Sequence, residues 1–514
     1  MNTLHPSSYW ISSADLPKYP APSRDYQVDV IVVGGGITGI TTAYLMKKAG
    51  LTVALLERSR LAGVDTGHTT AHLTRVTDLR LHEIVKTFGE DTARAVWDAG
   101  GAAIDQIVSL VRGEEIACDF RWVPGFLHAP LDSDDGSVAK ELQEEAATAD
   151  KLAIAAKYVE KVPIFGRPGV RFPHQALFHP RKYLASLVRA IPGDGSHVFE
   201  NAAPDEILSE PLRVKCGGHT VTGGYLVLAT HNPLMGNAGA MASALFQTKL
   251  ALYSSYALSA RVPEGRFPEG AFWDTNDPYY YLRTEHRDNG VYAVFGGEDH
   301  KTGQVEDTVG VFKRLQEKFL SFAPSAVVEH RWSGQVIETN DGLPFIGETA
   351  AHQFIGTGFA GNGMTFGTLT AMMAVDAVMK RKNPWAAIFD VHRKKLLGGT
   401  GTYLAENKDY PYYLVRNWLA GAEGDSVTVL GKGEGRILSL NGKKVAAYRD
   451  EKGRVSLCSP ICTHLQCIVA WNNAERTWDC PCHGSRFKPT GEVISGPAEE
   501  PLSPVDKNGE PVSK

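Results

Sequence analysis

The apolar run from Val28 to Val33, broken only by Asp29, ends in Gly34-Gly35-Gly36, and a helical pattern then continues through Lys48 to a second apolar run, Thr52 to Leu56. Short, mostly apolar runs bounded by glycine predict buried strands, so this opening reads as strand, turn, helix, strand. Leu81 to Leu110 has helical periodicity, whereas Phe120 to Val294 mixes short strand-like runs with Gly and Pro turns. A strand over Gly224 to Ala229 and a helix after Gly363 are expected to return the chain to the first sheet. Between 393 and 424 the periodicity fades into a polar, Tyr-rich stretch, which reads as a linker. From Asp425 onward, short alternating runs between Gly and Asn turns predict a small all-β unit.

Length agrees with that division. At 514 residues the chain suggests roughly three compact units, since a domain takes about 150 residues. A net charge of −5 carries no polyanion-binding signature, so nucleic acid is not an expected partner. The most apolar long stretch, Phe359 to Met379, is interrupted by Asn362, several glycines and Asp376. It predicts a packed helix and no membrane span. Met1 to Ser23 has neither a basic start with an apolar run nor a twin-arginine pair, so a cytoplasmic location is expected.

The first turn carries chemistry. Gly34, Gly36 and Gly39 follow a strand and open a helix through Ile37 and Thr38, the arrangement that lets a backbone approach a pyrophosphate at a helix N-terminus. Glu57, followed by Arg58, ends the second strand, where a carboxylate can accept from an adenosine ribose. This predicts a dinucleotide site.

The cysteines locate a second site. Cys118 and Cys216 stand alone, while Cys458, Cys462, Cys467, Cys480 and Cys482 crowd into one short segment, a distribution that argues for a metal centre. Zinc held by two cysteines and two histidines is the rival to a cluster on residue types alone.

Two resemblances sharpen these readings. Asn340 to Gly347 and Gly356 to Thr365, with Gly34 to Glu57 and Leu226 to Thr230, resemble the motifs of the D-amino-acid-oxidase-like flavoprotein family over about residues 28–385. The resemblance implies FAD, with Ala229, Gly361, Asn362, Gly363, Met364 and Thr365 contributing to its site. The segment holding Thr66, His68, Thr69 and Thr70 falls where this family wraps the flavin pyrophosphate and ring. The dimethylglycine and sarcosine dehydrogenase branch carries a flavin-linked histidine in a similar Thr-x-His setting, but the spacing from Glu57 differs here, so a non-covalent His68 is expected. The helix after Gly363 offers a positive N-terminal end to a reduced, anionic isoalloxazine.

Cys462-Thr463-His464-Leu465-Gln466-Cys467 and Cys480-Pro481-Cys482-His483-Gly484-Ser485 resemble the two cluster loops of Rieske proteins, and the likeness covers about residues 425–508. It implies a [2Fe-2S] cluster with Cys462 and Cys480 on one iron and His464 and His483 on the other. Cysteines at the places of Cys467 and Cys482 form a disulfide in the cytochrome bc and b6f branch. Ser485 can donate to a cluster sulfur, whereas Phe487 replaces the tyrosine of high-potential relatives, so a reduced potential is expected. Gly496-Pro497-Ala498 matches the proline loop that covers the cluster.

The expected architecture is therefore an α/β chain: an N-terminal extension (1–27), a Rossmann-like FAD-binding domain with an interleaved α+β substrate domain (28–392), a linker (393–424) and a small all-β Rieske domain (425–514). The flavoprotein family implies an amine or amino-acid-like substrate oxidised at a C–N bond. Val336 stands where many members place a carboxylate-binding arginine, which favours an amine lacking that group unless Arg283 substitutes. Tyr281 and Arg283 are the candidate catalytic positions; Tyr279, Tyr280 and Tyr281 read as a strand that either faces the flavin or packs the sheet. Where the sarcosine oxidase branch uses a lysine to promote reaction with oxygen, the nearest match is Phe295. These features predict a dehydrogenase passing electrons singly through the cluster to an external one-electron acceptor. An oxidase with a structural Rieske unit and a non-catalytic redox sensor stay open. A ring-hydroxylating oxygenase is disfavoured, because its catalytic domain would follow the Rieske domain and little follows Pro504.

Overall fold

The computed structural model describes residues 7–132, 136–232, 246–393 and 409–512. The strand Val30–Val33 is buried at every position because it pairs in parallel on both sides, with Val53–Leu56 and Tyr225–Leu228. These belong to a six-stranded sheet ordered Phe345–Ala350, Gln353–Thr357, Tyr225–Leu228, Val30–Val33, Val53–Leu56, His197–Phe199. The helices Ile37–Lys48 and Gly363–Val378 pack together beside it, and small residues let them close: a Cβ on Gly367 would meet Thr38 Oγ1 at 2.7 Å. The second helix is the apolar stretch singled out in the sequence. It buries positions from Met364 to Val375, and no helix of the described residues is long and apolar enough to cross a membrane.

A second, nine-stranded sheet is built around the long antiparallel strands Leu250–Val262, Gly290–Lys301 and Val327–Thr339. The helical stretch Leu81 to Leu110 divides into Leu81–Phe88 and Glu90–Gly113 at Gly89, whose φ of 89° ends the first helix.

The N-terminal segment is more than an extension. Its helix Tyr9–Ser13 is capped by Ser8, and Trp10 is fully buried with Nε1 donating to Thr69 O at 2.7 Å. The linker expected over 393–424 lies partly outside the described residues, at 394–408, and Asp409–Leu419 within it is a helix. Asn417 Nδ2 and Trp418 Nε1 donate to the carbonyls of Ile468 and Gln466, so this helix is held by contacts distant in sequence that its own pattern does not reveal.

The C-terminal unit has a three-stranded and a four-stranded antiparallel sheet, the latter ordered Ala470–Asn472, Thr477–Asp479, Arg486–Phe487, Val493–Ser495. Trp478 and Phe487 fill its core. Buried Arg486 is paired with Asp479 at 3.2 Å, which offsets the cost of removing both charges from water.

Candidate functional site: a flavin cavity walled by a cluster domain

A cavity of about 540 Å³ opens where the two large sheets meet. Its floor is the glycine turn. A Cβ on Gly39 would fall on the carbonyl oxygen of Gly34, so helix and turn can approach only without side chains there. Glu57 is oriented by two amides, Gly35 N to Oε2 at 2.7 Å and Ser59 N to Oε1 at 2.8 Å. Thr66 Oγ1 accepts from Ile37 N at 3.0 Å, tying the second segment to the helix start.

Of the positions expected at FAD, Gly34, Gly36, Ile37, Thr38, Glu57, Arg58, Thr66, His68, Thr69, Thr70, Ala229, Gly361, Asn362, Gly363 and Met364 line this cavity. Gly39 lies beneath it as packing. Thr365 does not reach it: the residue is buried and its hydroxyl donates to Thr74 O at 3.0 Å. His68 Nδ1 lies 2.8 Å from Val64 O, and Trp332 Nε1 donates to His68 O at 2.8 Å. At the start of the helix Gly363–Val378, Gly361 N already donates to Asp78 Oδ2 at 2.7 Å. The positive helix end expected to face the flavin is thus shared with a carboxylate. A Cβ on Gly363 would meet nothing within 4 Å, leaving the cavity room for a planar ring, and the glycine cradle fits a dinucleotide.

The substrate-side expectations need two corrections. Arg283 is 1% exposed and does not line the cavity; its guanidinium donates to the carbonyls of Ala71 and Phe178 and pairs with Glu285 at 2.5 Å. The cation is consumed by holding the Thr70-Ala71 backbone. Phe295 faces the opposite side of its sheet, stacked on Tyr280 at 5.7 Å within a core cluster. Strand alternation explains Phe295, since Tyr279 and Tyr281 reach the cavity while Tyr280 turns away to Glu298; Arg283 shares the face of Tyr281 and is withdrawn by its bonds to Ala71, Phe178 and Glu285. Among the described residues, no lysine lines the cavity.

Carboxylates stand there instead. Ser255 Oγ donates to Asp299 Oδ1 at 2.6 Å and meets Tyr281 Oη at 2.6 Å; Tyr279 Oη donates to Asp78 Oδ1 at 3.2 Å. Burial pushes the Asp299 carboxyl up to about 7, against the Ser255 hydrogen bond and with help from the nearby charges of Asp78 and Glu298. Asp78 is raised as well, mainly by burial. Burial and the Arg283 charge pull His72 down to about 3, so its imidazole is neutral, with Nε2 buried and unpartnered among the described residues. Asp65, which burial alone would raise, is held below the usual carboxylate range by His231 at 2.9 Å and by His68. Asp78, Ser255 and Asp299 escaped the sequence reading because they come from three separate segments with no motif among them.

The second site lies in the C-terminal unit. Cys462 and Cys480 are buried, while His464 and His483 are half-buried with ring centroids 4.9 Å apart and nearly perpendicular. His464 Nδ1 is buried without a partner among the described residues, as a metal-binding nitrogen would be. The Cys462 thiol is pulled below its usual value, first by the Cys480 thiol and then by the amides of His464 and Leu465 and the Ser485 hydroxyl, against burial. Ser485 Oγ accepts from Ala498 N at 3.1 Å, which leaves its proton for a cluster sulfur. Cys467 and Cys482 form a disulfide joining the two loops. Cys480 has its sulfur within 4.8 Å of both, but their thiols are spent on each other, so two thiolates and two imidazoles make the donor set that fits a Rieske cluster.

The two sites touch. Gln335, in the cavity wall, donates through Nε2 to Gly484 O of the second cluster loop at 2.6 Å and lies 3.3 Å from Thr302 Oγ1. Gln304 Nε2 donates to Pro481 O at 3.0 Å, and a Cβ on Gly303 would meet Pro481 N at 2.8 Å. Ile494, Ser495, Gly496 and Glu499 of the C-terminal unit line the cavity itself.

Comparison with known proteins gives the family of each unit. Residues 29–377 match the model of FAD dependent oxidoreductases, and residues 418–506 match the Rieske [2Fe-2S] domain. The chain is 33% identical over 509 residues to the putative Rieske 2Fe-2S iron-sulfur protein YhfW of Bacillus subtilis, covering 98% of each. It is 24% identical to the γ-glutamylputrescine oxidoreductase of Escherichia coli over 71% of this chain and 86% of that one. The glycine oxidase structure from Geobacillus kaustophilus aligns with a TM-score of 0.57 at 16% identity, over 72% of this chain and 99% of that one.

Proposed function

The chain belongs to the FAD dependent oxidoreductase family and carries a Rieske [2Fe-2S] domain, and we propose that it is an amine dehydrogenase whose electrons leave one at a time through the cluster. The observation that carries this reading is the shared wall: one side chain, Gln335, borders the flavin cavity and hydrogen-bonds the cluster loop. When bound, FAD takes the hydride leaving the carbon next to nitrogen, and the [2Fe-2S] cluster passes electrons on singly.

The chain's own residues set the substrate. Asp299, Asp78 and the rings of Tyr279 and Tyr281 offer a carboxylate-rich, aromatic-walled end suited to an ammonium group. With Val336 in the wall and Arg283 withdrawn, neither position weighed for a substrate carboxylate brings an arginine to the cavity. The relative named for γ-glutamylputrescine supports an amine in this family. Asp299 Oδ1, already accepting from Ser255, is placed to hold the ammonium or receive its proton. Gly34, Gly36, Glu57 and Gly363 would hold FAD, and Cys462, Cys480, His464 and His483 the cluster. His464 and His483, half-buried where Cys462 and Cys480 are buried, would hold the side of the cluster that an external one-electron acceptor can approach.

An anaerobic screen of amines and amino acids, following flavin bleaching and the cluster's paramagnetic signal together, tests this. Amines lacking a carboxylate should bleach the flavin first and reduce the cluster next. Oxygen consumed as fast as substrate, or flavin that no amine bleaches, would defeat the proposal.

A further inference from the structure

The strand Val493–Ser495 and the loop after it lie more than 450 residues from the glycine turn, yet they close the cavity at its nucleotide end. Arg58, next to the ribose-end carboxylate Glu57, donates through Nη2 to Ile494 O at 2.5 Å. The following residue, Ser495, lines the cavity. It is 9% exposed, and its Oγ is buried without a hydrogen-bond partner among the described residues. A buried hydroxyl left unpaired is costly, so rotation about χ1 toward an acceptor in the cavity that the residue lines is favoured. Gly496, at φ +91°, then presses on the second cluster loop: a Cβ there would meet Ser485 Cα at 2.5 Å and Gly484 O at 2.8 Å. Ala498 N donates to Ser485 Oγ. One short stretch therefore borders the flavin cavity and presses on the cluster loop at once.

We propose that the Rieske domain is itself part of the FAD site. Ser495 Oγ donates to an oxygen of the nucleotide half of FAD, and Arg58 fixes the strand that presents it. FAD binding and docking of the cluster domain are then a single linked equilibrium: what tightens one tightens the other by the same factor. A chain that has lost FAD holds its cluster domain less firmly, and one whose 493–499 stretch is displaced loses FAD. The inference stands on the cavity holding FAD and is independent of the substrate and of the direction of electron flow.

The test uses the full chain with the cluster retained and the flavin stripped. FAD is titrated back by the quenching of its fluorescence in the wild type, in Ser495→Ala and in Ser495→Thr. Ser495→Ala should weaken FAD binding roughly tenfold, the loss of one buried hydrogen bond to a charged or strongly polar acceptor, with the cluster spectrum unchanged; Ser495→Thr should restore most of the affinity. In the wild type, hydrogen exchange should slow on FAD addition across 493–499 and across the cluster loop 480–485. Equal FAD affinity in wild type and Ser495→Ala overturns the proposal. Should Ser495→Ala lose its cluster spectrum, wild-type exchange decides alone, and FAD-independent exchange across 493–499 overturns it. Both readouts are separate from substrate-driven cluster reduction, so failure here leaves the electron-exit proposal untouched, and the reverse holds.

Discussion

Asp299 sits on the strand Gly290–Lys301 beside Ser255 and Tyr281, and under the proposed function its titration shapes substrate binding. Below about pH 7 the carboxyl is neutral and attracts an ammonium weakly; above it the carboxylate forms a charge-assisted pair. Amine affinity should therefore rise as pH increases through about 7. Asp299→Asn should flatten that dependence and raise KM roughly ten- to a hundredfold, as measured by steady-state kinetics across pH. The sign for stability is opposite. The folded carboxyl is raised above its usual 3.8, so the contribution of this group is fully present below that value and is lost as pH rises through about 7. The midpoint of thermal unfolding without substrate should fall over that window, and less so in Asp299→Asn. At the cluster, Phe487 packs in the same buried group as Cys462 and Cys480. Phe487→Tyr adds a donor there and should raise the midpoint potential by about 40–90 mV, the equivalent of roughly 1–2 kcal/mol for one electron. A redox titration that finds no rise would show that another group sets the potential.

Among the elements, the short N-terminal helix bears weight out of proportion to its length. Trp10 fills a core position, its indole nitrogen holds Thr69 O, and the Arg283 guanidinium lies over its ring at 5.0 Å. Ser8 donates to Gly67 O in the same segment. The helix thus braces the 66–71 stretch against the flavin cavity from behind. Trp10→Ala should cost about 3–5 kcal/mol, as deletion of a buried aromatic ring does, and should also weaken retained FAD. Thermal unfolding together with flavin content after dialysis would check this; a large loss of stability with full flavin content would mean that the brace is not transmitted to the site. The hydrophobic pattern hid this helix because five residues are too few to show a period.

For the molecule as a whole, the arrangement of the two domains decides function. Gln335 and the 494–499 stretch hold the cluster loop against the flavin cavity, so the domains are docked through the site itself. His483→Ala should leave flavin bleaching by substrate intact and abolish turnover with acceptors served only by the cluster. Gln335→Leu should keep both cofactors while slowing cluster reduction at least roughly tenfold, since it loosens the contact between the two sites. Stopped-flow absorbance separates the two phases. Normal turnover of His483→Ala with every acceptor would end the electron-exit proposal.

The chemistry of each half was legible in the linear sequence, because it is carried by local motifs. Glycines at 34, 36 and 39 fit a tight turn into a closely packed helix, and Cys462-x-His464 followed by Cys480-x-x-His483 concentrates donors within two short loops. Local spacing suffices for such groups because the residues that cooperate are neighbours in the chain. The substrate end was not legible. Arg283 shares a strand face with Tyr281, and what withdraws it from the cavity is Trp10, Glu285 and the Ala71 and Phe178 carbonyls, which the linear pattern does not connect. The joint between the cofactor sites, with Gln335 on Gly484 and Ser495 over the flavin cavity, exists only because two separately readable domains pack on one another. Packing between distant segments is a property of surfaces in three dimensions, and no periodicity along the chain encodes which surface meets which.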